Sequence, residues 1–545
     1  MAMQGTSTTV PERKLIAGRR LRWDEARAAQ AYAQGLWVRS TLADALRRTA
    51  QQSPQRVLLV DGATRLDAQS LLQQAERLAQ ALLARAAPGA VVSFMLPNWH
   101  EAAVIYLGAT LAGMVANPIL PSLRERELRF ILQDCDSRFL FIPARFREHD
   151  YAAMLSQVCA TLPQPPAVVV LRGEAGKHLH YESLLREPAR ALPLPAQEAD
   201  ALRMVMYTSG TTGRAKGVMH SHNSIHALNC QLRAHWRITP GDKFLVPSPI
   251  SHIGGSIYAF EGPLLLGTTA VLMARWEPDA AVALMQAEGC THMAGATPFL
   301  QQLLAAAQRA GTRLPQLKVF ICGGASVPPA LIREAGEYFS SAAVTRVYGS
   351  TEVPVTTVGV TDRADAAHAA SSDGLPGIAQ IRLAAVPGAS EGDGEILARG
   401  PQMLRGYLHE EDDASAFDGE GYFRTGDLGR WQDDRYLVVT GRAKDLIIRN
   451  GENISPKEVE DLLLTHPQIA EVAIVGLPDP RTGERACAVV VPRGAEPPSL
   501  DALREFLLRL QVARFKLPEQ LQLRAALPKN DAGKVLKQQL RSELM

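Results

Sequence analysis

The chain has 545 residues, with 58 Lys+Arg against 56 Asp+Glu and a formal net charge of +2. Its 46 % apolar and 21 % charged residues are those of an ordinary globular protein. This excludes a largely disordered chain, a fibrous repeat and a disulfide miniprotein, and the balanced charge gives no general case for nucleic acid or an acidic membrane as partner. One asymmetry lies inside the balance: 11 basic residues are Lys and 47 are Arg, and four of the Lys (Lys516, Lys529, Lys534, Lys537) fall in the last 30 residues.

At about 100–200 residues per domain, the length predicts three or four structural units. The N-terminus carries basic residues without an apolar core before a cleavage site, so no signal peptide is expected. Leu and Ala at helical spacing predict helices over 42–51 and 68–86, and residues 91–96 read as a short apolar strand ended by Pro97-Asn98. The longest apolar run, 102–120, is broken by Gly108, Gly113, Asn117 and Pro118. A membrane span needs about 20 cleaner residues, so this run predicts a buried helix leading into a strand, and no integral membrane segment is expected. A helix over 125–135 and strands over 138–142 and 166–171 complete a pattern of α/β units with mostly parallel strands. Residues 187–200, rich in Pro and Ala, read as a surface linker.

A second α/β layer follows. An apolar strand ends at Ser209 and runs into a Gly/Thr-rich loop. Strands over 270–273, 291–296 and 318–322 are separated by helical stretches such as 279–289. Residues 373–440 are rich in Gly and Asp and predict a small β-rich unit. After Gly441, helices over 456–466 and 499–511 and strands over 470–475 and 486–491 predict a small α+β domain. The six Cys are scattered, with no CxxC pair, which predicts reduced thiols and a cytoplasmic location.

The sharpest local feature is Tyr207-Thr-Ser-Gly-Thr-Thr-Gly-Arg-Ala-Lys-Gly217, with Gly210, Gly213 and Gly217, the hydroxyls of Thr208, Ser209, Thr211 and Thr212, and Lys216. Glycines let backbone N–H groups turn toward an anion, hydroxyls add donors, and Lys adds a mobile point charge. Such a loop suits a nucleotide pyrophosphate. It is not a Walker loop, because Gly217 follows Lys216.

This segment resembles the phosphate-loop signature of the adenylate-forming enzymes: acyl-CoA synthetases, aryl-acid ligases, the adenylation domains of peptide synthetases and firefly-type luciferases. Further matches follow in that family's order. They are Gly323-Gly-Ala325, Tyr348-Gly-Ser-Thr-Glu352, Tyr422-Phe-Arg-Thr-Gly-Asp427, Gly441-Arg-Ala-Lys-Asp445 with Asn450-Gly-Glu-Asn453, and Pro528-Lys-Asn-Asp-Ala-Gly-Lys534. Residues 117–132 resemble ligases for short, medium-chain and alicyclic acids. The resemblance implies an α/β fold. A large N-terminal domain, residues 1–442, would hold two α/β subdomains and the β-rich unit, and a smaller mobile α+β C-terminal domain would occupy 443–545.

The resemblance also implies a two-step reaction. A carboxylate attacks the α-phosphate of ATP, giving an acyl-adenylate and pyrophosphate; a thiol, that of CoA, then displaces AMP. Bringing two anions together calls for positive charge, and Lys534 of the last motif takes that role. Glu352, with Thr208, is the candidate Mg²⁺ site, since a hard cation wants oxygen. Asp427 would accept from ribose hydroxyls, with Arg442 as a second ribose contact and Tyr348 stacked on adenine beside Gly324, Ala325 and Gly349. Thr208, Ser209, Gly210, Thr211, Thr212, Gly213, Lys216 and Thr351 would contact phosphate or AMP. Lys444 takes the family's hinge position, and Gly451 would line the pantetheine tunnel in a second domain pose.

Pro247-Ser-Pro-Ile-Ser-His-Ile-Gly-Gly255 aligns with the family's acyl-pocket motif, with His252 as the gate beside the acid. The stretch lacks the Asp of amino-acid-adenylating relatives, and Ile253 replaces the Asn of hydroxybenzoate ligases. Ile253, Gly254, Gly255, Ile257, Met293, Val353, Pro354 and Val355 predict an apolar pocket for an aliphatic, alicyclic or simple aromatic acid. The expected activity is that of an AMP-forming acyl-CoA synthetase using a small carboxylic acid, ATP, Mg²⁺ and CoA. Alternatives are a ligase that loads the phosphopantetheine of a carrier protein and a luciferase-like oxygenase. Lys516, Lys529 and Lys537 read as a solvated basic face near the cleft.

Overall fold

The long β-branched runs of the first 350 residues are divided between two seven-stranded sheets. The computed structural model describes residues 13–187, 192–208, 214–324, 327–387, 389, 391–449, 452–530 and 533–545. In the first sheet the strands lie in the order Leu179–His180, Ala167–Leu171, Ser137–Pro143, Val91–Phe94, Val115–Pro118, Leu202–Thr208, Lys216–Ser221. In the second they lie in the order Ala343–Val347, Val319–Gly323, His292–Gly295, Lys243–Val246, Thr269–Leu272, Val57–Asp61, Thr64–Asp67. Neighbours are parallel, as expected of α/β units, apart from the last pair of each sheet. The two sheets are therefore not consecutive in sequence. The hairpin at 57–67 leaves the first region to close the edge of the second sheet, with Leu59 facing Ala270 and Val60 facing Val271.

One core lies between the sheets and takes residues from both, among them Leu59, Phe94, Phe141, Phe244 and Ile321. Helix His100–Leu111 runs through it and is buried at every residue after the first, which explains the all-apolar run without a membrane. Its Gly108 admits the neighbouring helix Ala68–Leu83: a Cβ there would stand 3.0 Å from Leu78 and 3.2 Å from the Ala75 carbonyl. Two further cores cover the outer faces of the sheets. Among the described residues, no helix is long and apolar enough to cross a membrane.

Residues 192–200 are tied down more firmly than a linker. Gln80 and Leu192 exchange two hydrogen bonds, Gln197 donates to the Thr110 carbonyl, and Pro195 packs on Gly113. The β-rich unit is an antiparallel sheet of Gln380–Ala385, Gly394–Arg399, Phe423–Gln432 and Tyr436–Arg442. The C-terminal region holds a five-stranded sheet built on a long hairpin, Ile469–Asp479 with Gly483–Pro492, and helices Pro456–Leu463, Leu500–Arg509 and Lys537–Leu544. The C-terminal lysines do not form a solvated basic face. Lys516 pairs with Glu458 at 2.7 Å, Lys529 with Glu471 at 2.5 Å and Lys537 with Glu460 at 2.6 Å, so their charge is neutralised locally.

Candidate active site

Strand Leu202–Thr208 and its antiparallel partner Lys216–Ser221 pair Thr208 with Lys216, so the two strands flank the Gly/Thr-rich segment. Ser209, Gly210, Thr211, Thr212 and Gly213 lie outside the described residues, as do Ala325 and Gly451. The partner strand is backed by 405–408: the Leu408 N–H donates to the Gly217 carbonyl at 2.8 Å and the Arg405 N–H to Met219 at 2.7 Å. Gly217 permits this approach, since a Cβ would stand 3.1 Å from both Leu408 and Val205.

At the end of the strand pair, one carboxylate oxygen of Glu352 accepts from the Thr208 hydroxyl at 3.3 Å and the Tyr407 hydroxyl at 3.1 Å. Burial, and then the Glu352 charge, push the Tyr407 phenol well above its ordinary range, so it is a neutral donor. Glu352 and Thr208, a carboxylate and a hydroxyl side by side, are an oxygen set that fits Mg²⁺. Lys216 lies 3.4 Å from Asp412 and 5.0 Å from the centre of the Tyr407 ring, and Arg214 lies 2.7 Å from Asp412. The Thr351 carbonyl accepts from His220 Nε2 at 2.8 Å. Burial lowers the His220 imidazole to about 4, so the ring is neutral with its proton on Nε2. Tyr407, Asp412 and His220 carry no sequence signal of their own. No local pattern placed any of the three beside the loop.

Among the residues expected at the nucleoside, strands Phe423–Gln432 and Tyr436–Arg442 bring Asp427 opposite Arg442. Asp427 is buried, and its two oxygens accept from Arg442 Nε and the Tyr348 hydroxyl, both at 2.8 Å. Burial first, then Asp427, raises the Tyr348 phenol far above its usual range. Gly349 lets the Tyr348 turn close, because a Cβ would meet the Val355 amide nitrogen at 2.6 Å. Gly324 has φ +81 with open space where a Cβ would project. Lys444 is exposed in the 3-10 turn Ala443–Asp445.

The residues expected at the acid are positioned differently. Asn98, beyond the end of the strand Val91–Phe94, is buried and clamps the segment that leads to His252. Its amide donates to the carbonyls of Val246 and Ser248, both at 2.9 Å, and its oxygen accepts from the Ile250 N–H at 3.0 Å. His252 begins the short helix Ile253–Ser256. Gly255 is required there, because a Cβ would drive into the Pro249 carbonyl. A π-helical turn, Ile257–Glu261, follows, and its Glu261 is buried against Arg203 at 2.7 Å and the Tyr106 hydroxyl at 2.5 Å. Met293, expected in the acid pocket, packs instead in the core beneath the outer helices with Leu245 and Phe320. Strand alternation turns it to the face opposite Ala294. Val353, also expected there, packs with Val218 and Ala398.

Lys534 completes the arrangement. Its N–H donates to Asn530 Oδ1 at 2.9 Å, and the Asn530 N–H donates to the Lys534 carbonyl at 2.9 Å. Gly533, just before Lys534, has φ +78 and lies beside Pro298 and Ala296 of the large body, where a Cβ would stand 3.2 Å from Pro298. Burial, with Arg442 adding to it and Asp427 and Asp445 opposing, lowers the Lys534 ammonium to about 8. His252 is exposed to solvent but has protein massed around its ring. That enclosure first, then the Lys534 charge, lowers the His252 imidazole. Lys534, His252, Asp427 and Arg442 thus share one electrostatic neighbourhood.

Comparison with known proteins places this geometry. A family model described as AMP-binding enzyme matches residues 46–408, and one described as AMP-binding enzyme C-terminal domain matches 458–534. A medium-chain fatty-acid–CoA ligase of Escherichia coli (strain K12) is 35 % identical, over 96 % of this chain and 94 % of its own. A 3-[(3aS,4S,7aS)-7a-methyl-1,5-dioxo-octahydro-1H-inden-4-yl]propanoyl:CoA ligase of Rhodococcus jostii (strain RHA1) is 32 % identical, over 92 % of this chain and 99 % of its own. Among solved structures, o-succinylbenzoate coenzyme A synthetase from Bacillus subtilis, in complex with ATP and magnesium ion, superposes with a TM-score of 0.79 at 26 % identity, covering 92 % of this chain and all of the other.

Proposed function

The chain belongs to the AMP-binding enzyme family, and from that premise we propose that it activates an apolar carboxylic acid with ATP and transfers the acyl group to the thiol of CoA. The observation that carries this reading is the convergence of Lys534, His252 and the Asp427–Arg442 pair, with the Thr208–Glu352 pair at the end of the adjoining strands.

In the first step, a carboxylate oxygen of the acid attacks the α-phosphorus of ATP. A P–O bond forms, the bond to the bridging oxygen breaks, and pyrophosphate leaves with the electron pair. Lys534 supplies a fixed cation between the two anions. Its neighbour Gly533 lies beside Ala296 and Pro298, so little reorganisation is needed as charge shifts. Asp427 and Tyr348 hold the nucleoside end, and Lys216 with Arg214 faces the outgoing phosphates. Thr208 and Glu352 would hold Mg²⁺, which when bound neutralises charge on the triphosphate.

In the second step, the CoA sulfur attacks the acyl carbon and AMP leaves with the bonding electrons, the thiol proton passing to solvent. The body at 1–442 and the domain at 443–545 are taken as the two moving parts, with Lys444 at the hinge. A direct tie across the boundary is the hydrogen bond from Ser455 Oγ to the Thr440 carbonyl at 2.8 Å, a contact light enough to exchange. The apolar Ile253 and Ile257 and the acids named for the two relatives favour an aliphatic or alicyclic acid, and the six unpaired cysteines favour a reducing, cytoplasmic compartment.

The test is AMP release in the presence of ATP, Mg²⁺ and CoA, with a panel of aliphatic, cyclohexane and benzoate acids. Acid- and CoA-dependent AMP release supports the reading. AMP release that needs a holo-carrier protein in place of CoA assigns the acyl group to that carrier and overturns CoA as acceptor.

A further inference from the structure

Asp412 faces the two cations of the phosphate loop and is held from behind by its own segment. The carboxylate lies 2.7 Å from Arg214 and 3.4 Å from Lys216. Asp412 and Lys216 have side chains 10 % and 13 % exposed, so solvent screens this pair less than a surface pair. The segment carrying Asp412 is fixed on several sides. Asp413 accepts from Arg13 and from the Tyr407 N–H, at 2.7 and 2.9 Å. Asp134 accepts from the Tyr207 hydroxyl at 2.7 Å and lies 2.8 Å from His409 Nε2, tying the same segment to the strand that enters the loop. The Leu408 N–H donates to Gly217. The carboxylate is thus the stationary member of the cluster, and the two long cationic side chains are the members able to change partner.

We propose that Asp412 is a positioning residue that acts through Lys216 and Arg214 as an internal stand-in for phosphate. It holds both cations at the loop before nucleotide binds, gives them up to the β- and γ-phosphates of ATP, and takes them back as pyrophosphate departs. The proposal rests on the adenylate-forming reading above. A single anion competing for the same two cations weakens the binding of triphosphate and pyrophosphate alike, and after the acyl-adenylate has formed, weaker pyrophosphate binding speeds product release. Asp412 touches no reacting atom; its effect is on the affinity of the departing anion.

The experiment is acid-dependent ATP–pyrophosphate exchange and pyrophosphate inhibition of AMP release, in the full-length enzyme, for wild type, Asp412→Asn and Asp412→Glu. With Asp412→Asn, the inhibition constant for pyrophosphate is expected to fall about tenfold and the KM for ATP to fall with it. The KM for the acid should move less than twofold, and turnover should become more sensitive to the free pyrophosphate that accumulates, so that added pyrophosphatase restores it. Asp412→Glu is expected to stay within about threefold of wild type. Weaker or unchanged pyrophosphate inhibition in Asp412→Asn overturns the proposal, because a scaffold role would loosen the loop and weaken both anions. If Asp412→Asn does not fold, Asp412→Ser is read by the same criteria. Absence of exchange in the wild type would overturn the adenylate-forming reading itself, which separates the two failures.

Discussion

The two sides of the cleft are built by opposite means. On the nucleotide side, charged and hydroxyl groups hold one another. Asp427 accepts from Arg442 and Tyr348, Glu352 from Thr208 and Tyr407, and Asp412 faces Lys216 and Arg214. On the acid side, backbone does the holding: Asn98 binds three main-chain groups of 246–250, Gly255 closes against Pro249, and His252 is carried by that turn. Charge–charge networks can exchange partners when a charged ligand arrives. A backbone clamp fixes a shape and discriminates by fit. On the proposed function, the nucleotide side is thus suited to a common substrate, and the acid side to a selective one.

Lys534 spans both sides, and removing it should break the comparison most severely. Lys534→Ala is expected to slow adenylate formation by about 10³-fold while leaving thioester formation from pre-made acyl-AMP within about tenfold. Loss of both half-reactions together, in single-turnover assays of each, would remove the support for domain alternation. Gly255→Ala should come next. The added Cβ displaces the turn that bears His252, and acid activation is expected to fall by about 100-fold, with ATP binding, read by titration, altered far less. Next is pH. The Lys534 ammonium is lowered to about 8, so its charge is present below that pH and lost as pH rises through it. Adenylation should fall by about tenfold per unit on the alkaline side, and Lys534→Arg should carry whatever activity it retains to higher pH. A rate profile flat from pH 7 to 10 would refute the assignment.

The smaller effects sharpen the contrast. Tyr407→Phe removes one donor from Glu352 and is expected to raise the KM for ATP about fivefold with the acid KM unchanged. Asn98→Ala should do the reverse, raising the acid KM about fivefold with ATP affected less than twofold. It should also cost about 2–3 kcal/mol of stability in denaturant unfolding, since it strands two carbonyls and an N–H inside the protein. If Asn98→Ala moved both constants equally, the clamp would be part of the general scaffold.

The legibility of the two sides differs for the same physical reason. Loop motifs carry Gly, Thr, Lys and Asp at fixed offsets, because ligand chemistry demands those atoms at those places. Thr208, Lys216, Tyr348, Glu352, Asp427, Arg442 and Lys534 therefore stand out in the sequence as candidates, and the structure brings Thr208 to Glu352 and both Tyr348 and Arg442 to Asp427. Tyr407, Asp412 and Asn98 act by contacts 55, 198 and 148 residues away, and no local pattern encodes a partner at that distance. The C-terminal lysines show the converse error. Lys516, Lys529 and Lys537 look like a basic face until Glu458, Glu471 and Glu460 fold against them.

By itself, the sequence determined the α/β alternation, the β-rich unit, the small C-terminal α+β region and the family motifs in order, because hydrophobic period and turn chemistry are local properties. Tertiary structure alone decided that the hairpin at 57–67 joins the second sheet and that 192–200 is strapped to two helices. It also decided that Met293 packs in the core beneath the outer helices and that Asp412 meets Lys216 and Arg214. Each of those outcomes depends on which distant edge, face or charge the chain finds when it closes, and that pairing is set by packing the whole molecule.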